Sequence, residues 1–197
     1  QYRSPYLDGS MPTPFHDSND GYPDFLLLNN GSGQFSDATE SSGLSNKRKR
    51  RTYAASFVDL DDDGDLDLAV TADFAGLDLY QNDGKGKFRD VTPKWAPERQ
   101  GFGMSHVFGD INGDGWQDLY FVGMSSTTAR RLDRLGIVRD DFEIYARMRA
   151  PMTFGNRLLL GQPGGGFRQS TLAAKIARTG WGWGSAAEDF DNDGDLD

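Results

Sequence analysis

Three nine-residue segments follow one pattern, D-x-[DN]-x-D-G-x-x-D, and their oxygens stand where a hard cation would take them. They are Asp59, Asp61, Asp63, Gly64 and Asp67; Asp110, Asn112, Asp114, Gly115 and Asp118; and Asp189, Asp191, Asp193, Gly194 and Asp197. Side-chain oxygens at positions 1, 3 and 5 converge if the chain curls tightly, and glycine at position 6 permits the curl. A main-chain carbonyl at position 7, from Asp65, Trp116 or Asp195, and the carboxylate at position 9 complete a calcium shell. Without a cation, carboxylates this close repel one another. The competing reading is a set of acidic turns that stay solvated.

An EF-hand loop shares this spacing but requires a glutamate at position 12 and a helix on either side. Position 12 holds Val70 and Phe121 here. The runs after the first two loops, 66–70 and 118–122, are apolar and rich in β-branched or aromatic residues. Those before them, 55–58 and 106–108, read the same way, so each loop is expected to join two strands. Magnesium fits less well, since it prefers fewer protein ligands and keeps its waters.

The elements that must position these loops recur along the chain. Loops start at 59, 110 and 189, and a degraded copy spans His16 to Asp24. With His16 at position 1 and Ser18 at position 3, that copy is expected to be weak or empty, because histidine is a poor ligand for a hard cation. Glycine- and asparagine-rich hairpin signals lie at 28–35, 80–88 and 160–167. Strand, acidic loop, strand, strand, hairpin and strand, repeated about every 40–50 residues, is the signature of a four-stranded β-propeller blade. The expected fold is therefore all-β, a partial ring of antiparallel four-stranded blades. Their expected bounds are 11–50, 51–100, 101–178 and a truncated 179–197. The third blade carries an insertion at 123–156, helix-compatible over 127–135 and 140–148, with Leu132, Leu135, Ile144 and Met148 as its apolar contacts. The insertion is rich in arginine, and it reads either as helices with solvated or paired arginines or as a lid over a binding face.

Composition agrees with short strands and many turns: 37% of residues are hydrophobic, with 25 Gly and 8 Pro in 197 residues. The net charge of −9 is concentrated in the loops, which hold fourteen acidic side chains. Three calcium ions would bring the total to about −3, so the acidity reports metal sites more than a choice of partner. No cysteine is present, which excludes disulfides and thiolate metal sites. Calcium loops of this kind fill where calcium is millimolar, so an exported location is expected, whether extracellular, on the cell surface or periplasmic. No run approaches the ~18 apolar residues of a membrane span. Both ends read as cut from a longer chain.

The run Phe57-Val58-Asp59-Leu60-Asp61-Asp62-Asp63-Gly64-Asp65-Leu66-Asp67-Leu68, continued by Tyr80, Asn82, Gly84, Gly86, Phe88 and Val91-Thr92, resembles the FG-GAP/VCBS repeats of integrin α-subunit propellers and many exported bacterial proteins. Arg130-Arg131-Leu132 and the stretch Thr179 to Gly184 are similar to bacterial relatives of cartilage acidic protein, which often carry an ASPIC/UnbV domain that this stretch lacks. The resemblance implies a propeller, commonly seven-bladed, with calcium between two strands of a blade. It implies adhesion or ligand binding more than catalysis.

Two further readings compete. A carbohydrate-binding propeller, or the non-catalytic domain of a secreted glycan-active enzyme, would use Trp95, Trp116, Trp181 and Trp183, for which packing between blades is the plainer role. Trp181 and Trp183, alternating across glycines, are expected to share one core-facing side. An enzyme would need a base, and only His16 and His106 offer imidazoles. His106, in an expected strand, reads as a hydrogen-bonded structural residue, and Ser125-Ser126 lacks a nucleophile frame. The run Lys47 to Arg51 reads as a solvated loop or a patch for anionic glycans, not a nucleic-acid site. The expected partner is thus a protein or a glycan.

Overall fold

The computed structural model describes residues 14–138 and 143–197. Arg139 and the first residues of the expected second insertion helix, 140–142, lie outside the described residues, as do 11–13 of the first unit. The fold is mostly antiparallel β. Strands β1 (Leu27–Asn29) and β2 (Phe35–Asp37) form a hairpin. Strands β3 (Arg51–Val58), β4 (Asp67–Asp73), β5 (Gly76–Asn82) and β6 (Phe88–Asp90) form a four-stranded meander. Strands β7 (Gly103–Gly109), β8 (Asp118–Gly123), β9 (Arg157–Gly161) and β10 (Phe167–Gln169) repeat it in the same order. Both sheets carry a bulge near the start of their first strand, between Thr52 and Ala54 and between Gly103 and Ser105. The repeat seen in the loops thus extends to an irregularity of the backbone.

The two sheets share one core. Leu60, Ala69, Leu77, Leu79, Leu119, Phe121, Leu159 and Phe167 cluster with Val91 and Trp95, which stand just before and at the end of the short helix α1 (Thr92–Trp95). Trp95 is buried beneath the hairpin between β9 and β10, where a Cβ on Gly165 would come within 2.3 Å of its ring. Only glycine lets that hairpin lie on the indole. Trp95 therefore takes the packing role that the sequence assigned it.

The first unit departs from the expected four strands. Fifteen residues separate Asp67 from Asn82 and hold the bodies of β4 and β5, whereas six separate Asp24 from Asn30. That length admits one strand, so among the described residues this unit is a hairpin alone. The last segment also departs, since residues 178–197 form no strand. It runs beside β7 and β8, with Ser185 Oγ 3.1 Å from Ser105 Oγ, and pairs with no strand among the described residues. Trp181 and Trp183 are accordingly 68% and 62% exposed, not core. Trp183 meets Tyr53 edge-to-face, at 6.1 Å between centroids.

The insertion holds α2 (Thr127–Arg134), capped by Ser126 Oγ accepting from Ala129 N, and α3 (Glu143–Met152). A bridge between Ser125 and Phe154 closes its base. Arg149 pairs with Asp133 at 2.7 Å across the two helices, and Tyr145 stacks on Phe15 at 4.5 Å, so the insertion reaches back to the first unit. Leu135, expected as a contact, is exposed because it caps the end of α2, and Met152 fills the interior instead. The short α4 (Ala173–Ile176) follows β10.

Apart from the exposed Lys49, the basic run 47–51 is neither a solvated loop nor a free patch for anionic glycans. Arg50 and Arg51 are each 3% exposed. Arg50 bonds Asp78 at 2.8 Å and Asp17 at 2.6 Å, Arg51 bonds Asp20 at 2.9 Å, and Lys47 bridges Asp78 and Asp90 at 2.6 and 2.7 Å. Arg99 reaches the same Asp17 and Asp78. These cations fasten the first unit to the second sheet, each to a carboxylate distant in sequence.

Candidate metal centre

All three acidic loops adopt one conformation. The position-1 carboxylate caps the turn, with Asp59, Asp110 and Asp189 accepting from the N–H groups of positions 5 and 6 at 2.8–3.3 Å. The position-9 carboxylate closes it: Asp67 accepts from Leu60 N at 3.1 Å, Asp118 from Ile111 N at 3.2 Å, and Asp197 from Phe190 N at 3.0 Å. Position 6 is left-handed in each, Gly64, Gly115 and Gly194 having φ of 89°, 89° and 97°. Position 4 is left-handed as well, in Asp62, Gly113 and Asn192, with φ of 62°, 71° and 60°. The sequence reading did not single out position 4. Its signal was present nonetheless, since Asp, Gly and Asn are the residues that tolerate this conformation best.

The strands supply the frame. The second oxygen of Asp67 accepts from Asn82 N at 2.8 Å, and that of Asp118 from Gly161 N at 2.8 Å. The first and second loops are thereby tied to the third strands of their own sheets. In the first loop Gln81 Nε2 also donates to Asp61 at 2.5 Å and Asn82 Nδ2 to the Leu66 carbonyl at 3.0 Å. Asp67 and Asp118 are fully buried, and burial pushes both carboxyls up, Asp67 to about 6.

In the first and third loops, one oxygen from each of positions 1, 3 and 9 lies within 4.8 Å of the others: Asp59, Asp61 and Asp67, and Asp189, Asp191 and Asp197. In the second loop Asn112 places an amide at position 3. The position-5 carboxylates Asp63, Asp114 and Asp193 instead accept from the N–H of position 7, at 3.0–3.2 Å to Asp65, Trp116 and Asp195. Two carboxylate oxygens, Asp61 Oδ1 and Asp65 Oδ1, are buried with no hydrogen-bond partner. Burial, then Asp63 and Asp59, raise the Asp61 carboxyl. Orphaned, mutually repelling oxygens between two strands suit a hard divalent cation, which neutralises their charge and takes their lone pairs.

The degraded loop does different work. Asp17 is held down at about 2, since Arg99 and Arg50 outweigh its partial burial. Asp20 takes Arg51, and Asp24 accepts from Thr52 at 2.7 Å. These oxygens answer guanidinium and hydroxyl groups, and burial lowers the His16 imidazole. The hairpin after them is held by turn bonds from Gly31 N to Asn29 and Ser32 N to Asn30, both 2.9 Å.

His106 sits away from the loops, 7% exposed, between Thr71 Oγ1 and Ser56 Oγ at 2.8 Å each. The buried ring with both nitrogens bonded to hydroxyls agrees with its reading as a hydrogen-bonded residue of a strand. Trp116 is partly covered and lies within the second loop.

No curated protein matches the chain. Residues 59–121 match the family model of the FG-GAP-like repeat, a span that begins on the first position of the first loop and ends in the strand after the second. Among the described residues no helix is long and apolar enough to cross a membrane. The span similar to the FG-GAP-like repeat holds the first acidic loop, strands β4 to β7, the second loop and the start of β8.

Proposed function

We propose that this chain is a calcium-loaded arc of β-propeller blades from an exported protein, which binds a protein or glycan partner and performs no catalysis. Asp59, Asp61, Asp63, the Asp65 carbonyl and Asp67 would hold one ion. Asp110, Asn112, Asp114, the Trp116 carbonyl and Asp118 would hold a second, and Asp189, Asp191, Asp193, the Asp195 carbonyl and Asp197 a third. The observation that carries the reading is the pair of buried, unpartnered oxygens on Asp61 and Asp65, both pushed up by burial and by the carboxylates around them. When bound, the cation supplies charge neutralisation and fixes the strand-to-strand connection, so binding free energy becomes folding free energy.

Calorimetric titration of EDTA-stripped protein with calcium, with melting followed alongside, tests this. The expected result is three ions per chain, Kd weaker than ~10 μM, and a rise in melting temperature that saturates with the sites. Asp61→Ala should remove one ion from the stoichiometry and part of the rise. Binding without a gain in stability, or no binding, rejects structural calcium.

A second reading, carbohydrate binding, draws on the exposed indoles of Trp181 and Trp183. Loss of glycan-array binding on Trp181→Ala, with unchanged melting, would favour it.

A further inference from the structure

The two sheets meet through β4 and β3 on one side and β7 on the other, and the polar group at that contact is His106. Its Nδ1 faces Thr71 Oγ1 on β4 and its Nε2 faces Ser56 Oγ on β3, so one ring spans both strands of the neighbouring sheet. Phe108 adds an edge contact at 5.4 Å, and Phe121 lies opposite in the register of β8. We propose that His106 makes the contact between the two sheets an acid-sensitive joint, which holds while the imidazole is neutral and loosens when it takes a proton.

The hydrogen bonds themselves do not decide the matter. A hydroxyl can accept from either ring N–H, so both contacts survive protonation. What changes is charge: an imidazolium would sit in the interface with two hydroxyls and aromatic edges around it and no anion to balance it. The ionisable groups on the packed strands are Arg51 and Tyr53 on β3, Asp67 and Asp73 on β4, and Asp118 and Tyr120 on β8; β7 has no other. None of them contributes to the shift of this ring, for which burial is the whole cause, and it lowers the imidazole to about 4. The unfolded chain, with an ordinary histidine near 6.5, binds the proton more tightly than the folded one. Stability from this group is therefore fully present above pH ~6.5 and is lost as pH falls from there toward ~4.

The test is urea unfolding of the calcium-saturated chain from pH 7 to pH 4, beside His106→Gln, whose amide can still donate to one hydroxyl and accept from the other without titrating. The folding equilibrium constant of the natural chain is expected to fall about 30-fold more than that of the variant by pH 5 and about 100-fold more by pH 4. Carboxylates and His16 titrate in both proteins and cancel in the comparison. Equal pH slopes for the two would overturn the proposal. If His106→Gln does not fold, an NMR titration of the His106 ring in the natural chain decides: a midpoint below ~5 supports it, and one above ~6 rejects it.

Discussion

Replacing Asp78 with alanine is expected to cost about 3–5 kcal/mol, because it removes one buried anion from among three cations. The carboxylate is 1% exposed and receives Lys47 Nζ at 2.6 Å, Arg50 Nε at 2.8 Å and Arg99 at 3.3 Å. Arg50 is itself buried, and a guanidinium does not give up its proton, so it stays charged in the variant. Without Asp78 its guanidinium keeps the Ser18 carbonyl at 2.7 Å and the half-exposed Asp17, while Lys47 falls back on Asp90. Those partners lie on the first unit and on β6, and none of them replaces an anion at the base of β5. Asp78→Asn, which keeps one acceptor and removes the charge, should fall between the natural chain and alanine. Urea unfolding at saturating calcium is the measurement. A loss below about 1 kcal/mol would show that water enters the site and that the network is surface chemistry, of the kind that contributes little.

That network marks where sequence reasoning stopped. Each acidic loop declares itself within nine consecutive residues, because ligand spacing and the left-handed glycine are local requirements. The hairpins declare themselves for the same reason, and all three close alike, with Asn30, Asp83 and Gln162 N–H donating to Gln34, Lys87 and Gly166 carbonyls at 3.0 Å. The run at 47–51 looked like a solvated patch because its partners Asp17, Asp20 and Asp78 lie roughly thirty residues away on either side. Charge pairing at that distance has no period and no motif. Trp181 and Trp183 were misread for another physical reason: alternation across glycines describes a strand, but a strand exists only when a neighbour accepts its hydrogen bonds. The position-5 carboxylates, read as ligands, also make an Asx turn that the reading did not include, each accepting through Oδ1 from the N–H two residues on. The insertion was read from loop spacing and its arginines, neither of which tells what Asn156 does at its base. This buried amide accepts from Gly123 N at 3.1 Å and donates to Tyr120 and Thr179 at 2.8 and 2.7 Å, fastening β8, β9 and the following segment together.

Gly155→Ala and Gly76→Ala are expected to be equivalent lesions, each costing about 2–3 kcal/mol, although the two residues share no sequence motif. Both lie where the third strand of a sheet begins, and there the chain passes against the segment leading to the next unit. Leu77 N donates to the Arg99 carbonyl at 3.0 Å, and Asn156 N donates to the Ala177 carbonyl at 3.1 Å. The glycine before each donor is left-handed, with φ of 90° at Gly76 and 106° at Gly155. A Cβ would stand 2.0 Å from the Arg99 oxygen in one case and 1.9 Å from the Ala177 oxygen in the other. Those oxygens are backbone and already bonded, so relief requires moving the linker and stretching the bond that seats it. Backbone strain of about 1–2 kcal/mol and a weakened buried hydrogen bond of about 1 kcal/mol add in the same direction. Gly64→Ala makes the control for strain alone, since its φ is 89° and nothing lies within 4 Å of the added carbon. Melting at saturating calcium should rank Gly76→Ala and Gly155→Ala together, well below Gly64→Ala. If all three lose the same amount, the close approach contributes nothing. If Gly155→Ala alone is tolerated, the insertion between β8 and β9 gives its sheet a freedom to shift that the uninterrupted turn between β4 and β5 lacks.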